Sequence, residues 1–158
     1  MKPMRNGCVV IAMVLTAAVA VAQEPSAKST PLEGTWKFVS WEIDGKKAPE
    51  SAMKEFRWIF KDHDAVWSSG PIPEKNETHE EKYSFAYDPD RTPGWINLSS
   101  TNEKGPALVR GLFEIKDDKL KICLPSDTAK PNQDRPTAFK AGRDSGMMLM
   151  VLQRVQTP

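Results

Sequence analysis

The 158-residue chain carries 22 Lys and Arg against 21 Asp and Glu, with two His, two Cys and 39% apolar residues. A balance this close to neutral gives no electrostatic case for nucleic acid or for an anionic membrane surface. Two cysteines, one of them within an N-terminal apolar run, exclude a disulfide scaffold, and the length suits one domain around one core.

Residues 1–22 read as a signal peptide: Lys2 and Arg5 supply the positive start, Gly7 to Val21 is apolar apart from Thr16, and Ala20-Val21-Ala22 gives the small-x-small cleavage pattern. The run is shorter than the roughly 20 residues of a spanning helix, so a membrane anchor is the weaker reading. Cys8 stands at the start of the apolar region, whereas a lipidated cysteine would follow it. Cleavage near Ala22 predicts a secreted or periplasmic protein, whose mature 136 residues hold 20 basic and 21 acidic side chains and no membrane-inserting segment. Mature Cys123 is then alone, so stability must come from packing. All five Trp, six Phe and two Tyr lie in this part.

Residues 23–31 read as a flexible, proline-flanked linker, and the domain proper spans 32–158. From Leu32 onward, short alternating runs separated by turn residues predict an antiparallel all-β domain. In the first run, Thr35 to Ile43, Trp36 and Phe38 share one parity while Trp41 and Ile43 share the other, which predicts a bulge near Val39-Ser40. Asp44-Gly45 is a tight turn, and PESAMK from Pro49 can make one helical turn, the one helix expected.

Phe56, Trp58 and Phe60 define a half-buried second strand ending at Asp62-His63-Asp64, and a third runs from Ala65 to Ser68. Two prolines and several charges make GPIPEKNE from Gly70 a loop. Tyr83, Phe85 and Tyr87 alternate along the next strand, Trp95 to Ser99 is short, and TNEKGP reads as a polar loop. Leu108 to Ile115, with Val109, Phe113 and Ile115 on one face, pairs across Asp117-Asp118 with Lys119 to Leu124. Thr137 to Lys140 is strand-like, AGRDSG turns the chain, and Met147 to Val155 closes it. The count is eight or nine strands, without a repeat.

Chemistry-bearing residues are few. Asp144-Ser145-Gly146 lacks the Gly-x-Ser-x-Gly elbow, and its base would have to come from distant His63 or His79, so a turn is the better reading and no catalytic residue or enzymatic activity is predicted. Asp62-His63-Asp64 with His79 matches no established metal spacing, and neither metal nor cofactor is expected. Glu74 to Glu81 reads as a solvated segment. Cys123, opposite Leu120, Ile122 and Leu124 and alongside Lys121, is more naturally packed than nucleophilic. Met147, Met148 and Met150 suit either a core or an adaptable apolar pocket, a copper site being a weak third option. Asn76-Glu77-Thr78 and Asn97-Leu98-Ser99 match the glycosylation pattern.

The stretch Leu32-Glu33-Gly34-Thr35-Trp36 resembles the Gly-x-Trp opening of lipocalins, in which the Trp lies at the closed end of the barrel beneath a basic residue of the last strand; Arg154 matches that residue. The chain is similar more closely to a lipocalin-like domain of planctomycete secreted proteins, through LEGTWKFVSWEIDGKKAPE, RGLFEIKDDKLKICL and RPTAFKAGRDSGMMLMVLQR. The resemblance implies an up-and-down antiparallel barrel of about eight strands with one short helix, with Gly34, Trp36 and Arg154 as its structural signature. By analogy it implies a monomer that binds a small apolar molecule inside, with Phe38, Phe56, Trp58, Phe60, Phe85, Phe113 and Met150 as candidate lining. The alternative is a filled barrel that engages another macromolecule through its surface.

Overall fold

A computed structural model describes residues 30–72, 77–102, 105–128, 130 and 133–156. In chain order the elements are β1 (Gly34–Ile43), β2 (Lys46–Lys47), α1 (Glu50–Met53), β3 (Arg57–Lys61), β4 (Asp64–Ile72), β5 (Glu77–Asp88), β6 (Gly94–Asn102), β7 (Gly105–Lys116), β8 (Lys119–Pro125) and β9 (Met147–Arg154). Each strand pairs antiparallel with its neighbours in the order β1-β3-β4-β5-β6-β7-β8-β9, and β1 pairs again with β9. The result is a closed up-and-down barrel of eight strands, with two-residue β2 hanging from β1 as a ribbon. Closure removes the sheet edges that would otherwise template aggregation.

The turns follow from their residues. Asp44 (φ 48°) with Gly45 (φ 79°), and Asp117 (φ 51°) with Asp118 (φ 56°), supply paired positive φ values that match the twist of a two-residue hairpin. In β1 the register with β9 shifts between Phe38 and Ser40, which places Val39 outside, 48% exposed, and changes the parity of the rest of the strand. Trp36 and Phe38 before the shift, and Trp41 and Ile43 after it, therefore all belong to the core or pack against it.

Four strand limits differ from expectation. Gly70, Pro71 and Ile72 belong to β4, because a second register shift between Ser68 and Pro71 lets proline join the ladder opposite Thr78. β5 starts at Glu77 within the acidic stretch read as a loop, β6 continues to Asn102, and β7 begins at Gly105. These strand ends carry mostly polar residues, Gly and Pro in sequence, so no period-2 apolar alternation marks them. Thr137 to Lys140, in contrast, forms no strand.

That segment belongs to the long connection from β8 to β9, of which residues 133–140 lie against the outer faces of β6, β7 and β8. Ser126 N–H donates to Gly146 O (2.8 Å) at its base. Further along, Arg135 donates through Nη1 to Ile96 O (3.0 Å) and Gly111 O, and through Nη2 to Asn97 Oδ1 (2.7 Å). Its guanidinium also lies 4.4 Å from the centre of the Trp95 ring, whose centre is 4.2 Å from Arg91. Gly111 has to be glycine here, since a Cβ would meet Cys123 O at 2.8 Å and collide with Leu124 Cδ2. Under the connection, Leu112 and Cys123 are buried although they point out of the barrel.

At the closed end, Arg154 lies over the Trp36 ring (4.1 Å), donates to Pro31 O (2.8 Å) and Glu33 O (2.5 Å), and pairs with Asp118 (3.3 Å). Trp36 is fully buried, and its indole N–H donates to Leu32 O at 2.7 Å. Gly34 (φ 124°) is required by the same packing, because its backbone is left-handed and a Cβ would lie 3.1 Å from Arg154 Nη1.

Candidate functional site

Most of the barrel is filled. Trp58 stacks on Phe60 (5.5 Å between ring centres), Phe60 meets Phe85 edge-on (5.2 Å), and Phe85 leads through Tyr87 to Phe113. Leu120, Ile122, Ile96 and Leu152 complete this layer with at most 1% exposure. These side chains form the packed core of the barrel towards the closed end.

A cavity of about 170 Å³ remains nearer the opposite end. The register explains why these side chains converge there. Trp41 is opposite Met150 across β1 and β9, Leu124 is opposite Met148 across β8 and β9, and Trp67 is opposite both Trp58 and Glu81 across β3, β4 and β5. Tyr83 and Leu98 complete the apolar wall, and Ser126 and Thr128 of the β8–β9 connection reach it from the rim. An apolar cavity of about 150 Å³ takes up benzene, whereas sites for drug-sized ligands run to roughly 300 Å³ and more.

The polar groups at this cavity are specific. Tyr83 donates its hydroxyl to Glu81 Oε2 at 2.5 Å, and His79 lies 3.4 Å from Glu81 Oε1. Burial, then the hydrogen bond and charge of Glu81, push the Tyr83 phenol well above its usual range, with Thr128 acting weakly in the other direction. Tyr83 therefore remains a neutral donor. The indole N–H groups of Trp41 and Trp58 are buried without a partner among the described residues, each an unmet demand of about 1–3 kcal/mol.

Of the seven candidate lining residues, only Trp58 and Met150 line the cavity. Phe60, Phe85 and Phe113 fill the barrel beneath it, and Phe38 and Phe56 form an edge-on cluster with Trp41 and Trp67 (5.4 to 5.9 Å between centres). Trp41, Trp67, Tyr83, Leu98, Leu124 and Glu81 were missed. Period-2 parity could have found Glu81, which shares its face with Tyr83 and Phe85. Met148 serves core and cavity together, while Met147 has the opposite parity.

The remaining candidates are placed as follows. Ser145 Oγ accepts from Met147 N (3.2 Å) within the turn before β9. His63 lies in the β3–β4 turn, its carbonyl accepting from Phe85 N, six residues along β5 from His79. Among the described residues no three His, Cys, Asp or Glu side chains form a metal-binding group. Burial pushes the Cys123 thiol up, and its Sγ lies 3.6 Å from Lys140 O. Lys121 is occupied with Phe139 and Glu114. The Asn97 amide is held by Arg135, and Asn76 lies outside the described residues.

A larger depression of about 860 Å³ runs between the β1–β2 turn and residues 143–144, outside the barrel. It is broad and lined by Asp44, Lys46, Lys47, Arg143 and Asp144, and it lacks the convergent apolar wall of a small-molecule site. Compared with family models, curated proteins and solved structures, the chain matches none.

Proposed function

We propose that this is a secreted or periplasmic lipocalin-like protein that holds one small, largely apolar molecule in the cavity opposite its closed end. The observation that carries the reading is the 170 Å³ cavity walled by three Trp, Tyr83, two Leu and two Met within a closed barrel. Its volume favours a guest of one ring or equivalent bulk over a long acyl chain or a haem. The Gly34-Thr35-Trp36 opening against Arg154 supports the lipocalin-like relationship. No helix among the described residues is long and apolar enough to cross a membrane.

Titrating the purified protein with toluene, a small quinone and palmitate, followed by tryptophan fluorescence and native mass spectrometry, tests this reading. Uptake of the one-ring compounds without palmitate is expected. Silence towards every compound would overturn it and favour engagement of a macromolecule by the outer surface, where Trp95 is 37% exposed between Arg91 and Arg135.

A further inference from the structure

We propose that the guest of this cavity is an organic cation, a quaternary or protonated ammonium group on a small carbon frame. The inference rests on the small-molecule reading and adds the sign of the charge. Four aromatic side chains, Trp41, Trp58, Trp67 and Tyr83, converge on one small space, and the only ionisable group besides Tyr83 among its lining residues is the Glu81 carboxylate. Among the described residues neither Lys nor Arg lines it. Aromatic rings carry negative potential on their faces, so a desolvated ammonium among several gains about 2 kcal/mol or more. A hydrocarbon guest gains from burial alone.

Glu81 points to the same sign. It is on the inward face of β5, directly opposite Trp67, and Tyr83 holds one oxygen by a short hydrogen bond. A phenol in this position remains protonated, so it orients the carboxylate without adding charge. His79, two residues before Glu81 on the same face of β5, is 55% exposed and faces water as well as Glu81, and Trp67 meets its ring edge-on at 5.8 Å. The basic groups Lys46, Lys47 and Arg143 line the separate outer depression. An anionic guest would meet the like charge of Glu81 at the rim, where the carboxylate is 45% exposed and water screens part of the repulsion.

The test compares choline with its neutral isostere 3,3-dimethylbutan-1-ol, and with toluene, by calorimetric titration of the purified protein. Choline is expected to bind at least about tenfold more tightly than the isostere, the equivalent of one desolvated cation–π contact. Glu81→Gln should reduce choline affinity several-fold more than it reduces that of the isostere, and Trp67→Leu should weaken choline more than toluene. Equal affinity for choline and the isostere, or uptake of toluene with choline excluded, overturns the cation reading and leaves the small-molecule reading standing. Silence from all three overturns both.

Discussion

Replacing Trp36 by Ala removes a fully buried indole that closes one end of the barrel. An indole buries about 200 Å² of mainly apolar surface, and at about 25 cal/mol per Å² its burial is worth about 5 kcal/mol as an upper bound. Ala retains some of that burial, while the cavity left behind and the lost 2.7 Å hydrogen bond to Leu32 O act in the opposite sense. The expected loss is about 3–5 kcal/mol. Arg154→Ala removes the stacking and the bonds to Pro31 O and Glu33 O, and costs about 1–3 kcal/mol at this partly exposed site. Because the two side chains are in contact, a double-mutant cycle should return a coupling of about 0.5–2 kcal/mol. Urea melts followed by circular dichroism measure all four proteins. A loss below about 1 kcal/mol for Trp36→Ala would refute the assignment of the closed end.

Other expectations follow from the same geometry. Arg135→Ala should free the β8–β9 connection from Ile96, Gly111 and Asn97 and expose Cys123, so labelling by a disulfide reagent becomes at least several-fold faster than in the parent; unchanged labelling would show that Arg135 does not hold the connection down. Gly111→Ala places a methyl against Cys123 O and Leu124, and should lower stability by about 1–3 kcal/mol in the same melts. Tyr83 binds its proton more tightly folded than unfolded, so its contribution is fully present below about pH 10 and is lost as pH rises past the unfolded value. Stability should therefore fall above that pH at up to about 1.4 kcal/mol per unit, and Tyr83→Phe should remove that part of the slope. Leu98→Phe should fill the cavity and abolish uptake of one-ring guests while the barrel remains folded, as judged by calorimetry and circular dichroism.

Much of the barrel was legible because its strands are half-buried and alternate. The parity change between Phe38 and Trp41 announced the bulge, and Asp117-Asp118 announced its hairpin. What escaped were polar strand ends such as Glu77 to Glu81, whose pairing in the ladder no alternation of apolar residues marks. Thr137 to Lys140 alternated like a strand, yet it packs on the outside of a barrel that has already closed. The site was less legible than the fold. Inward parity names every residue that faces the interior, but which of them fill it depends on depth along the barrel. Phe60, Phe85 and Phe113 sit low and interlock, whereas Trp41 and Trp67 sit high beside unfilled space. Depth is set by strand stagger around the closed sheet, which a single sequence does not express.

The five tryptophans provide the most direct test of a guest in the barrel. Trp41, Trp58 and Trp67 line the cavity, Trp36 lies at the closed end, and Trp95 lies on the outer surface. In nitrogen-15 spectra each indole N–H gives one resonance, assignable by single Trp→Phe substitutions. Titration with a bound small molecule should shift the three cavity resonances and leave those of Trp36 and Trp95 in place. Movement of Trp95 or Trp36 with the other three unchanged would contradict the account.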